Sequence, residues 1–194
     1  MDPTAYNIAW LDLETTGTDE ADGSILEVGV AITSPDLDVL AVAEWLAEPD
    51  MAHVATMAPV VREMHTANGL LDELDRVGGV PIGTLDAELR SLLDAYAVRG
   101  RLVLAGSGVS HFDGRWIRRH LPDAARRLTY WTFDVGVVRR WLATIDPELV
   151  RPAPAKTHRA LDDARDHLAE WRHYSAVAGE ALTELRRAAA RPVG

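Results

Sequence analysis

The chain contains no cysteine. Disulfide frameworks, thiolate nucleophiles and cysteine-ligated metals are therefore excluded. It has one lysine, Lys156. Twenty basic residues face thirty acidic ones, a net charge of −10. That balance argues against a broad grip on long nucleic acid, which depends on cation–phosphate contacts. It leaves room for a short anionic substrate whose phosphate is met by bound metal. No apolar run approaches the roughly 18 residues of a membrane helix. Residues 1–14 are acidic and lack the basic start of a secretory signal. A cytoplasmic protein with no membrane contact is expected.

With 194 residues, 47% hydrophobic and 26% charged, the chain suits one globular domain spanning 1–194. Its core is expected over about 7–178. The Arg- and Ala-rich tail, about 186–194, is expected to fray.

Apolar runs at Ile8–Leu13, Ser24–Ile32 and Leu37–Leu46, joined by short links, read as an antiparallel meander. Met57–Met64 and Leu70–Val77 read as short helices. Thr84 reads as the N-cap of a helix carrying Leu85, Leu89, Leu92 and Leu93, which Gly100 ends. Arg101–Ala105 is a short buried strand, Asp113–His120 a helix and Tyr130–Phe133 a fifth strand. Asp134 then caps a helix, and Thr157 to about Ala190 is the longest helical segment, with a break near Gly179. This order predicts an α/β domain with a mixed sheet.

Asp12 and Glu14 interrupt the end of the first strand. Residues i and i+2 of a strand share a face, roughly 7 Å apart. Two carboxylates aimed together beside a core repel each other unless a cation lies between them, and hard divalent cations prefer carboxylate oxygens. Three further acidic positions stand at element junctions: Asp113, Asp134, and the Asp162-Asp163 pair after His158. Each also fits a plain structural role, as an N-cap or as an acidic first helical turn. Together, acids from strand one, a middle helix and the last helix can converge on one sheet edge. Carboxylate-bridged metal pairs of that kind clamp in-line phosphodiester displacement. A nearby His can take the proton of the attacking water.

Trp10 to Gly17, His111-Phe112-Asp113, and Thr157 to Arg165 resemble the three exonuclease motifs of the DEDDh superfamily. That superfamily holds proofreading exonucleases, ribonuclease T and oligoribonuclease. Its His followed five residues later by Asp selects Asp163 over Asp162. Within it, oligoribonuclease is the nearest likeness, from about Asn7 to Tyr174. His65-Thr66-Ala67-Asn68-Gly69-Leu70, Tyr130 to Val135, and Leu168 to Tyr174 continue the match.

The resemblance implies a ribonuclease H-like fold, a mixed five-stranded sheet flanked by helices. It implies a 3′→5′ exonuclease that releases 5′-mononucleotides from short single-stranded RNA or DNA. Asp12, Glu14, Asp113 and Asp163 would hold two Mg²⁺ or Mn²⁺ ions, and His158, on a mobile loop, would be the general base. Thr15, Thr16 and Gly17 would line the terminal nucleoside, and His65 would meet the 5′-side phosphate. A homodimer is implied, with Tyr130 reaching the partner's site and Trp131 adding apolar surface. The alternatives are a DNA-directed proofreading or repair exonuclease, including one encoded by a phage, and an inactive subunit that binds nucleic-acid ends.

The sequence departs from the pattern in one segment, Gly106-Ser107-Gly108 where the family has Gly-Asn-Ser, and at two base-packing positions. Thr18 stands where the family has an apolar residue that packs on a base, and Val60 where it has a stacking aromatic. Base stacking contributes about 1–3 kcal/mol per base. Their loss is expected to weaken a preference for dinucleotides.

Overall fold

The computed structural model describes residues 6–152, 154 and 156–189. Strands β1 (Ile8–Thr15), β2 (Ile25–Thr33) and β3 (Val39–Leu46) come first, followed by helices α1 (Met51–Thr56), α2 (Pro59–Ala67), α3 (Leu70–Val77) and α4 (Ile82–Tyr96). Then come β4 (Leu102–Gly106), α5 (Asp113–His120), α6 (Pro122–Ala125), β5 (Leu128–Asp134), α7 (Val135–Ile145), a 3-10 turn at Pro147–Leu149, and α8 (Ala160–Ala189). The five strands form one mixed sheet in the order β3-β2-β1-β4-β5. β1, β2 and β3 are antiparallel neighbours; β4 runs parallel to both β1 and β5.

The two faces of β1 bury different partners, as a period of two requires. Ala9, Leu11 and Leu13 join Leu85, Leu89 and Leu93 of α4 and Trp116 and Ile117 of α5. Ile8 and Trp10 face the other way, onto Leu168 and Trp171 of α8. Asp12 and Glu14 continue that second face.

Gly29 lies opposite Asp12 in the β1–β2 register. A Cβ there would come within 2.1 Å of the Leu161 backbone nitrogen and 2.2 Å of the Ala160 carbonyl carbon. The missing side chain lets the start of α8 rest directly on β2. Buried Glu27 then receives that helix end, accepting from Ala160 N at 2.7 Å and from the Arg159 guanidinium. Gly29→Ala is expected to cost about 1–3 kcal/mol by overpacking and to move α8 away from β1. A denaturant midpoint and hydrolysis rate both equal to wild type would contradict this.

Several expectations change. Thr84 does not cap α4; the helix begins at Ile82, behind Pro81, and Thr84 N donates to Pro81 O within the first turn. α8 passes Gly179 without a break and continues to Ala189, one turn into the segment expected to fray. Residues 190–194 lie outside the described residues. Helix α1 was not expected. It buries no residue and so leaves no apolar period to read; Asp50 caps it, accepting from Ala52 N. Trp131 packs on its own chain, 6.1 Å from the Tyr6 ring and 5.5 Å from Phe133. It is half-buried there, so only part of its ring is left as apolar surface. Among the described residues no helix is long and apolar enough to cross a membrane.

Candidate active site

The end of β1 outruns its partner. β4 pairs with β1 only from Ile8 to Trp10. Beyond that point Leu13 N donates to Asp113 Oδ1 at 3.1 Å. Asp113 is thus no N-cap: it is the first residue of α5, behind Phe112, and its buried carboxyl reaches across to β1. Asp134 does cap its helix, accepting from Val137 N, and the same oxygen accepts from Gly108 N. It anchors the 106–110 loop that delivers Asp113, and, after burial, its charge helps raise the Asp113 pKa.

Asp163 enters from the first turn of α8 and is buried. A ligand atom of Glu14, one of His158 and one of Asp163 lie within 4.8 Å of one another. Asp12 lies on the same strand face as Glu14 and is coupled electrostatically to Asp113, Glu14 and Asp163. The structure therefore brings together Asp12, Glu14, Asp113, Asp163 and His158, from β1, α5 and the segment entering α8.

Crowding raises the proton affinity of these acids. Burial, then the charges of Asp113, Glu14 and Asp163, push the Asp12 carboxyl well above its ordinary value. Burial first, then Asp163, pushes Glu14 up to about 8. Burial pushes Asp113 up to about 7, and raises Asp163 against the opposing charges of Lys156 and His158. Lys156, the one lysine, has Nζ 3.7 Å from Asp163 Oδ2. Like charges brought together out of water favour protonation unless a cation replaces the protons. Four acidic oxygen donors in one buried corner fit a hard divalent ion.

His158 is half-buried, with φ +52. Its carbonyl accepts from the Asn68 side-chain amide, and Asn68 Oδ1 accepts from Leu70 N at 3.0 Å. Arg159 is clamped between Glu27 and Glu73. These contacts hold His158 where the residue type alone disfavours the backbone conformation. Ala153 and Ala155, in the loop leading to it, lie outside the described residues.

His65 is fully buried. Its Nε2 lies 3.0 Å from Thr15 O, and Nδ1 faces Glu14 Oε2 at 3.8 Å. A ring with no exposed surface cannot meet a 5′-side phosphate in this conformation; it braces Thr15 and Glu14. Burial lowers the His65 pKa while it raises that of Glu14, so burial disfavours the charged form of both partners. Thr15 Oγ1 donates to Gly17 O at 2.6 Å, and Thr16 Oγ1 accepts from Ser24 N at 2.9 Å. Both hydroxyls serve the turn. Gly17, with open space where a Cβ would stand, and exposed Thr18 present its surface. Val60 is exposed on α2, and Tyr130 is 88% exposed on the edge strand β5, remote from its own chain's core.

Sequence reasoning missed His167. It lies one turn beyond Asp163 on the buried face of α8, with Nδ1 3.9 Å from Asp12 Oδ1. Burial pushes its pKa down to about 4. The i to i+4 spacing from Asp163 was the available signal.

No protein-family model matches the chain. Oligoribonuclease of Streptomyces griseus is 33% identical over 171 residues, covering 86% of this chain and 84% of that protein. Oligoribonuclease of Tropheryma whipplei (strain Twist) is 30% identical over 177 residues, covering 89% and 93%. Among solved structures, the zinc-bound form of Escherichia coli exonuclease I with single-stranded DNA superposes with a TM-score of 0.66 at 15% identity. That match covers 94% of this chain but only 43% of the exonuclease I chain, and it establishes the shared ribonuclease H-like fold alone. With close to a third of residues identical to proteins of matching length, the chain belongs to the oligoribonuclease family.

Proposed function

We propose that this protein is a metal-dependent 3′→5′ exonuclease that hydrolyses the phosphodiester bonds of short RNA oligonucleotides, in the cytoplasm, and releases 5′-mononucleotides. The observation that carries the reading is the meeting of Asp12, Glu14, Asp113 and Asp163 beside His158. The four carboxylates would hold two Mg²⁺ or Mn²⁺ ions, which when bound polarise the attacking water and stabilise the leaving oxygen. His158 accepts the proton of that water, and Asn68 fixes its backbone. Glu27, Arg159 and Glu73 position the segment that carries it. The 3′-terminal nucleoside lies against the open turn at Gly17 and Thr18, beside Glu14.

Exposed Thr18 and Val60 offer no stacking platform, which favours tolerance of longer chains over strict dinucleotide choice. Side-by-side turnover of 5′-labelled dinucleotides, longer RNA and single-stranded DNA tests the substrate. Rates on RNA from two to several nucleotides are expected to differ by less than about tenfold, the equivalent of one lost stacking contact. A clear preference for DNA would favour the proofreading or repair reading. No hydrolysis with either metal would favour an inactive subunit that binds nucleic-acid ends.

The active form is a homodimer in which Tyr130 reaches the partner's site. Tyr130 stands exposed on an edge strand, and the neighbouring helix α7 exposes Val137, Trp141 and Ile145. Exposed apolar and aromatic residues of this kind are enriched in interfaces. Light scattering is expected to give twice the 21.2 kDa chain mass. Tyr130→Ala is expected to slow cleavage without separating the subunits. A fully active monomer would refute the pairing.

A further inference from the structure

His167 is 4% exposed, and its Nδ1 has no hydrogen-bond partner among the described residues. Buried polar atoms are rarely left this way in folded proteins. The atom is aimed at Asp12 Oδ1, 3.9 Å away. Asp163 and His167 share one face of α8, one turn apart, so both side chains approach the end of β1. The ring also walls a cavity of about 60 Å³ together with Lys156, Asp163, Asp166 and Glu170.

We propose that His167 Nδ1 is a further metal ligand, sharing a cation with Asp12, so that one of the two ion positions has a mixed nitrogen–oxygen donor set. This rests on reading the four carboxylates as a cation site. An imidazole at neutral pH offers a nitrogen lone pair. Donors of one ion with bonds near 2.1 Å can stand up to about 4.2 Å apart, so the 3.9 Å separation admits a shared ion. Carboxylate oxygen suits both Mg²⁺ and Mn²⁺, but imidazole nitrogen is a softer donor that first-row transition ions accept more readily than Mg²⁺ does, Mn²⁺ being the least demanding of that series. The residue therefore makes this site prefer Mn²⁺ to Mg²⁺.

The competing role for His167 is to donate a hydrogen bond to Asp12 and orient it, with no metal bond. Pulsed electron paramagnetic resonance of Mn²⁺ bound to chelator-stripped protein separates the two. Nitrogen-14 coupling is expected in wild type and in His158→Ala, and is expected to vanish in His167→Phe, which keeps a ring without a donor. His167→Gln serves as a second variant should the Phe protein fail to fold. Calorimetry is expected to show Mn²⁺ affinity falling at least about tenfold in these variants, while Mg²⁺ affinity changes less than about twofold. Nitrogen coupling unchanged in both variants, or equal losses for both metals, would overturn the proposal. Wild-type protein that binds no Mn²⁺, or Asp12→Asn protein that binds it as well as wild type, would overturn the cation site itself.

Discussion

Asp12→Asn is expected to abolish hydrolysis while making the chelator-treated protein more stable. Metal stabilisation of developing charge is worth several kcal/mol, so the rate should fall by at least about 10³-fold. The stability gain follows from the crowding of acids around Asp12. Burial and the charges of Asp113, Glu14 and Asp163 all disfavour its ionised form, and the amide removes that charge. The pH dependence has a definite sign. An acid whose folded pKa is raised binds more protons folded than unfolded, so stability falls as pH rises between the two values. For Glu14 that window runs from its ordinary 4.5 to about 8. Between about pH 4 and 6.5 the buried His167, whose pKa is lowered, opposes this trend, so without metal the wild-type melting temperature should decline from about pH 6.5 to 8, and Mn²⁺ or Mg²⁺ should restore it. A wild-type protein whose stability is flat from about pH 6.5 to 8 under chelation, or an active Asp12→Asn variant, would refute the site.

His158→Ala should lower turnover by about 10²–10⁴-fold, the usual worth of a positioned general base. The Michaelis constant should move little, because the carboxylates and the Gly17 turn that would hold the substrate stay in place. Asn68→Ala offers a milder companion: it removes the tie to the His158 carbonyl and leaves the imidazole. Turnover should drop less than for His158→Ala, with metal binding unchanged. Equal rates for His158→Ala and wild type at neutral pH would assign the proton to another group.

Which acids meet at the end of β1 was legible from residue spacing and family likeness. Asp12 and Glu14 break a buried strand at i and i+2, a pattern that asks for a cation. His158 and Asp163 needed the family's five-residue spacing, because Asp162 beside it has the same composition. The helix of 113–120 was read correctly, but the residues around Asp113 left its role open between N-cap and cation ligand, and only the family likeness chose the second. Capping and active-site acids have the same local sequence, and only the contact with Leu13 N, a hundred residues away, tells them apart.

The histidines show why the remainder was hidden. His65 and His167 each lie on an ordinary helix, and their spacing reveals a face but not what faces it. The tertiary structure turns the first against Thr15 and Glu14 and the second against Asp12. Thr15 and Thr16 were read as substrate contacts from adjacency to the acids, but a turn's own hydrogen bonds claim their hydroxyls. Tyr130 and Trp131 alternate on one strand, and burial alone decided that the first stands exposed and the second packs, half-buried, against the core. By itself the sequence determined the α/β class, the strand order along the chain and the residue types of the site, since these follow from local period and from chemistry carried by single side chains. The tertiary structure decided which of those side chains meet, because convergence depends on contacts distant in sequence: Gly29 opening β2 to α8, and Glu27 receiving that helix end, have no signature in the residues around them.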